Sequence, residues 1–344
     1  MSDLEPLAPA DGVDLYLDAR RDELTSETLK GQKYRLRTFV AWCEEHDHTN
    51  LNDLGGRDLY AFRVWRREGG YDGTEIAPVT LRGNLSTLRA FLRFCGSVDA
   101  VPSELFEQVP LPTVSAGEDV SDSTLEVGRA DAILDYLERY EWASRRHVTL
   151  LLLWHTGCRA GALRALDVDD CDLEGSEPAV HFVHRPSTGT PLKNKEKSER
   201  WNGISPHVAD VLRDYIDGPR EDVLDKHGRA PLVTTSSGRP VTSTLRDTLY
   251  CVTRPCWRGE ACPHDRDLDE CDATYYASAS SCPSSRSPHD VRSGRVTAYR
   301  LDDVPRPIVS DRLNASEEIL DKHYDRRNER QKAEQRRHYL AGDR

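Results

Sequence analysis

Thr156-Gly157-Cys158-Arg159-Ala160-Gly161-Ala162-Leu163 joins two apolar helical patterns through a single glycine. Gly157 reads as a helix stop, and a new helix opens at once with Leu163 and Leu166 on its apolar side. Arg159 is thereby held between packed elements, where its planar fork suits two phosphate oxygens. Taken singly, it would be an arginine cap facing water. Upstream, apolar periodicity predicts helices over 130–140 and 148–155. The run 148–154 is far too short to cross a bilayer, which sets membrane function aside. Downstream, 179–184 alternates apolar and polar side chains as a strand does, and 200–204 is its hairpin partner across a loop containing Gly and Lys. Helices are expected over 208–215, 242–252 and from 288 to the end.

Two further groups could carry chemistry. His289-Asp290-Val291-Arg292 follows Ser287-Pro288 at a helix start. Spaced by three, His289 and Arg292 share a face at the helix end whose free N–H groups and dipole favour an anion. Alone, such a pair is commonly a surface feature. Tyr324 lies in Leu320-Asp321-Lys322-His323-Tyr324-Asp325-Arg326-Arg327, where surrounding bases favour its phenolate. Alone, it would be a packed aromatic.

The rest of the chain sets the frame. Its 344 residues exceed what one hydrophobic core usually supports, so two domains are expected. Residues 12–109 read as helical: Ser26 can cap a helix bearing Leu29, Leu36, Phe39, Val40 and Cys43, and Thr80 can open another bearing Leu81, Leu85, Leu88, Leu92 and Cys95. Arg57, Arg63, Arg66, Arg67, Arg82, Arg89 and Arg93 beside them form either a solvated face or a phosphate-facing one. Residues 111–126 lack apolar periodicity and read as a linker.

The net charge of -12 opposes binding to a polyanion unless arginines gather on one face. Scarce lysine, abundant arginine and clusters such as 167–172 resemble the proteins of extreme halophiles, and point to a halophilic archaeon. Nine cysteines without a charged-then-apolar leader over 1–17 point to a reducing cytosol and a cytoplasmic location.

In combination, the Thr-Gly-x-Arg box, the distant His-x-x-Arg and the tyrosine some thirty residues later resemble the tyrosine recombinase (phage integrase) family in order and spacing. The resemblance covers most of the chain. It implies a mainly α (α+β) protein: a helical, SAM-like core-binding domain over 12–109, a linker over 110–127, and a catalytic domain over 128–344 with a small antiparallel β-sheet.

It further implies that Arg159 and Arg292 clamp the scissile phosphate while His289 assists by hydrogen bonding and proton transfer. Tyr324 would attack to form a 3′-phosphotyrosyl link, and a hairpin-loop lysine would protonate the leaving 5′-oxygen. Lys193 is favoured for that task, with Lys195 and Lys197 as alternatives. The implied partner is double-stranded DNA, gripped between the two domains by a tetrameric synapse in which 329–340 docks on a neighbouring subunit. No catalytic cofactor is implied. Departures are Ala315, where the family usually has a second histidine or a tryptophan, Asn202-Gly203 in the hairpin's return strand, and Ala162 in place of a common Glu.

Outside the family pattern stands a Cys-rich insertion at about 251–286, with Cys251, Cys256, Cys262, His264, Cys271 and Cys282. It is too polar to fold on hydrophobic burial, and a structural zinc on Cys256, Cys262, Cys271 and Cys282, with His264 as alternate, would explain its cysteines. Rival readings are a non-catalytic DNA-binding protein on this fold, a type IB topoisomerase-like enzyme, and a zinc hydrolase, which lacks a His-Glu-x-x-His motif.

Overall fold

A computed structural model describes residues 4–114, 123–324, 327 and 329–340. Chain contacts divide it into two units, Met1–Ser121 and Asp122–Arg344. The first contains α1 (Pro9–Ala19), α2 (Ser26–Glu45), α3 (Gly56–Arg67) and α4 (Pro78–Ser97), with short 3-10 turns at Leu51–Asp53 and Leu105–Gln108. Its core is aromatic: Tyr16, Phe39, Trp42, Phe62 and Phe91 are buried, and Phe39 meets Phe62 edge-on at 5.3 Å. Thr25, one residue before Ser26, caps α2 by accepting from the Thr28 amide. Pro78 opens α4 ahead of Thr80, because a first-turn position has no need of the missing N–H. Among the expected arginines, Arg66 is structural: it is buried beside Asp72, with Nη1 3.6 Å from Oδ1.

The second unit runs α5 (Val127–Tyr140), α6 (Arg145–Thr156), α7 (Ala160–Ala165), β1 (Cys171–Asp172), β2 (Ala179–Phe182), β3 (Arg200–Gly203), α8 (Pro206–Asp217), α9 (Thr242–Val252), α10 (Pro288–Leu301), α11 (Arg306–Leu313), α12 (Glu317–His323) and α13 (Glu329–Leu340). Helix α6 is apolar nearly all round and forms the centre, packed by α5, α8, α9 and α10. The antiparallel sheet has the order β1-β2-β3, with Val180 opposite Asn202 and His181 opposite Trp201. Strand alternation buries Val180 and Phe182 and leaves His181 stacked on Trp201 on the other face, 4.4 Å apart.

Two glycines let elements approach closely. Gly157 takes φ 62°, which ends α6, and a Cβ there would lie 2.2 Å from Leu313. A Cβ on Gly294 of α10 would lie 1.9 Å from the Leu125 carbonyl oxygen, where the chain crosses α10 and the Leu125 amide donates to Asp290 O.

The region from 288 onward is not continuous helix. It breaks after Leu301, where Pro305 resets the chain, and after Leu313, where Asn314 adopts a left-handed conformation. The acidic segment 167–172 is partly interior: Asp167 and Asp170 are buried and, with Asp225, lie among Arg185, Arg229 and Arg239. Burial pushes the Asp225 carboxyl up, but the Arg239 guanidinium and two backbone amides outweigh it and hold it at about 2. No helix among the described residues is long and apolar enough to cross a membrane.

Candidate active site

The site is assembled where α6, α10, α11 and α12 end or begin. Gly157 turns the chain out of α6, so that Arg159 becomes the N-cap of α7 with extended backbone. Its Nη1 donates to the Asn314 carbonyl at 3.3 Å. At α10, Ser287 and Asp290 form a reciprocal capping box with Pro288 at the first helical position, which fixes the helix start. His289 and Arg292 follow within one turn.

Arg292 is almost fully buried. Its Nη1 donates to Gly157 O at 2.7 Å and its Nη2 to Leu313 O at 2.9 Å, while its buried Nε has no hydrogen-bond partner among the described residues. The guanidinium carbon lies 5.0 Å from the Tyr324 ring centroid, and the exposed His289 ring lies 5.0 Å from the same ring at 44°. Tyr324 ends α12 and is buried in a small cluster with Val296, Tyr299, Val309, Leu313 and Leu320. Thr297 of α10 donates to its carbonyl oxygen at 3.2 Å.

Arg292, His289 and Tyr324 are thus brought into one group, and Arg159 joins Arg292 through the adjacent carbonyls of Leu313 and Asn314. Ala315, beside them, packs its methyl against the Tyr324 cluster.

Four arginines set the electrostatics of the site. Among the described residues, Arg159, Arg200, Arg292 and Arg312 donate to carbonyl and phenol oxygens rather than to carboxylates. Burial first, and then the Arg159 charge, hold the Arg292 guanidinium down at about 10. Burial likewise lowers Arg200, whose guanidinium lies over the Phe182 ring at 4.5 Å. Sequence reasoning does not single out Arg200 or Arg312. The signal available for Arg200 is its place at the opening of the return strand, directly after the lysine loop.

Lys193, Lys195 and Lys197 are all exposed in the loop between β2 and β3, and none of their ammonium groups makes a hydrogen bond or ion pair with the described residues. The loop itself is fastened to the site. Asn194 Nδ2 and Ser198 Oγ donate to Asn314 Oδ1 at 2.7 and 2.9 Å, and Asn314 Nδ2 donates to Lys197 O at 2.7 Å.

The Cys-rich insertion is organised differently from the expected zinc site. Among the described residues, no group of three or more His, Cys, Asp or Glu is placed to hold a metal ion. Cys256, Cys262, Cys271 and Cys282 are therefore not assembled as a ligand set, and His264 Nε2 sits 2.8 Å from Ser284 Oγ. Buried arginine order replaces apolar burial here: Arg129 donates to the carbonyls of Thr253 and Ser284, and Arg254 donates to that of Ala273. Cys43, Cys95 and Cys158 are buried core residues.

No family model matches the chain. The tyrosine recombinase XerC of Herpetosiphon aurantiacus is 24% identical over 229 residues, covering 66% of this chain and 68% of that protein. The tyrosine recombinase XerC of Roseiflexus sp. is 26% identical over 226 residues, covering 64% of this chain and 66% of that protein. The matched stretch spans about two thirds of each relative.

Among solved structures, the Tn1549 transposon integrase in complex with transposon right end DNA gives a TM-score of 0.63 at 14% identity, covering 96% of this chain and 99% of that one. A lambda integrase dimer bound to a COC′ core site gives 0.61 at 14% identity, covering 94% and 79%. These likenesses are of fold: a mainly helical chain with a small three-stranded antiparallel sheet, in the arrangement of the tyrosine integrases.

Proposed function

We infer that this chain is a member of the tyrosine recombinase and integrase family, an enzyme that cuts and rejoins DNA at a specific site. The observation that carries the reading is the convergence of Arg159, of His289 and Arg292 from one helix, and of Tyr324 into one arginine-rich group. A phosphodiester is an anion whose oxygens suit the forked guanidiniums of such a group. As Tyr324 attacks, charge builds on the non-bridging oxygens, and fixed guanidinium groups lower that barrier. His289 takes up and returns protons, and a lysine of the β2–β3 loop protonates the 5′-oxygen. The phosphotyrosyl ester keeps the bond energy, so rejoining needs neither ATP nor a catalytic metal.

The DNA is double-stranded in this reading, with the first unit as its core-binding domain and α13 docking on a neighbouring subunit within a tetramer. Integrases of this fold that are bound to DNA support the choice of partner. The acidic balance supports a high-salt setting for the reaction. Ala315, which cannot hydrogen-bond through its side chain, favours one second reading: a protein that binds DNA on this fold without cutting it.

A nicked suicide substrate, drawn from DNA flanking the gene, separates the two. Wild type is expected to form a covalent protein–DNA adduct that survives SDS, and Tyr324→Phe to form none. Stable binding without adduct across candidate sites and salt concentrations would overturn the recombinase reading in favour of the second.

A further inference from the structure

We propose that Asn314 is a positioning residue that sets the lysine-bearing loop of the β2–β3 hairpin against the arginine pair, and so governs proton delivery to the leaving 5′-oxygen. The proposal rests on the recombinase reading above.

The geometry assigns the whole side-chain amide to one loop. Its oxygen accepts from Asn194 and Ser198, and its nitrogen donates to the Lys197 carbonyl, all within 2.9 Å. Ser198 is buried; its hydroxyl accepts from the Asn194 amide at 3.3 Å and gives its own proton to Asn314. The main chain at the same place faces the phosphate clamp: Asn314 O accepts from Arg159, and Leu313 O accepts from Arg292. Asn314 therefore spans the loop that carries Lys193, Lys195 and Lys197 and Arg159, while its neighbour Leu313 holds Arg292.

The backbone does not explain the amide. Asn314 has φ 48° and ψ 61°, a left-handed turn that glycine makes with less strain. What glycine lacks is the three-way tie to the loop. A shift of about 1 Å in a reacting group can cost about 10²-fold in rate, so a tie of this kind bears directly on the chemistry.

In the cleavage step the Tyr324 oxygen bonds to phosphorus as the P–O5′ bond breaks. The phenolic proton passes to His289 or water. The 5′-oxygen takes a proton from a lysine ammonium, which becomes a neutral amine, and religation reverses each transfer. Replacing the bridging 5′-oxygen by sulfur removes the need for that last proton, because a thiolate leaves unaided near neutral pH.

The test compares wild type, Asn314→Gly and Asn314→Asp on nicked substrates with a bridging 5′-oxygen or 5′-sulfur. Asn314→Gly suits the turn and is expected to stay folded, with a modestly lower thermal midpoint for its lost hydrogen bonds, and to match wild type in DNA binding. It should form adduct about 10- to 100-fold more slowly on the oxygen substrate and within a few-fold of wild type on the sulfur substrate. Asn314→Asp keeps the acceptor but sets an oxygen against Lys197 O, and should show the same selective loss. An equal loss on both substrates, or none on either, overturns the positioning role. Absence of adduct from wild type on both substrates defeats the recombinase reading itself, and the proposal with it.

Discussion

A guanidinium with only 2% of its residue surface exposed ordinarily has a carboxylate partner; that of Arg292 has two carbonyl oxygens and the face of Tyr324. Burial and Arg159 lower its pKa to about 10, so it remains a cation at neutral pH. Arg292→Lys keeps the charge but loses the fork that holds Gly157 and Leu313 together. We expect single-turnover adduct formation to fall by about 10²–10³, with DNA affinity changed far less. A wild-type rate in this variant would remove Arg292 from the proposed phosphate clamp.

At the scale of elements, α6 carries a pH dependence of its own. His147 Nδ1 accepts from the Ala143 amide at 3.2 Å, and His155 Nε2 accepts from the Ser205 amide at 3.3 Å, bonds that only neutral imidazoles make. Burial is the main reason that both titrate at about 4; His207 adds to it for His147, and Arg312 and Arg295 add to it for His155. The unfolded chain takes up these protons near 6.5, and the folded chain resists until about 4. The stabilisation is therefore complete above pH 6.5 and is lost as pH falls through that window, by up to about 1.4 kcal/mol per pH unit for each histidine. Denaturant unfolding between about pH 7.5 and about pH 4.5 checks this. The expected result is a steady decline that His155→Gln makes shallower, and a flat profile would contradict it.

Across the whole molecule, a net charge of -12 coexists with ion pairs buried around Asp167 and Asp225. Salt acts on the two differently: it screens repulsion between exposed carboxylates, while buried pairs are little affected. The thermal midpoint should therefore rise as KCl increases from about 0.1 M to about 1 M, where the screening length shortens from about 10 Å to about 3 Å. A midpoint that is unchanged or falls would mean that surface attraction, not repulsion, dominates.

Much of the fold is legible along the chain because its causes are local. Apolar periodicity marks α2, α4, α5, α6, α8 and α9, strand alternation marks the hairpin, and Gly157 marks the turn before Arg159. Helix α3 is hidden in the sequence because its buried stripe is only Leu59, Phe62 and Arg66 in an arginine-rich segment. Arg159, His289, Arg292 and Tyr324 each sit in a local setting that is common by itself, a post-glycine turn, a helix start or a basic cluster, and it is their order and spacing, by resemblance to the family, that singles them out.

What no local pattern contains is the energy of contacts between residues far apart in sequence. Asn314 breaks the C-terminal helix and binds the 194–198 loop, Arg129 orders the Cys-rich insertion through two distant carbonyls, and three arginines draw Asp167 and its neighbours inside. Composition and periodicity specified which elements form. Tertiary packing settled where the helices break, which aspartates are interior and how the lysine loop is held, because each depends on a hydrogen bond or ion pair that exists only once the chain has folded.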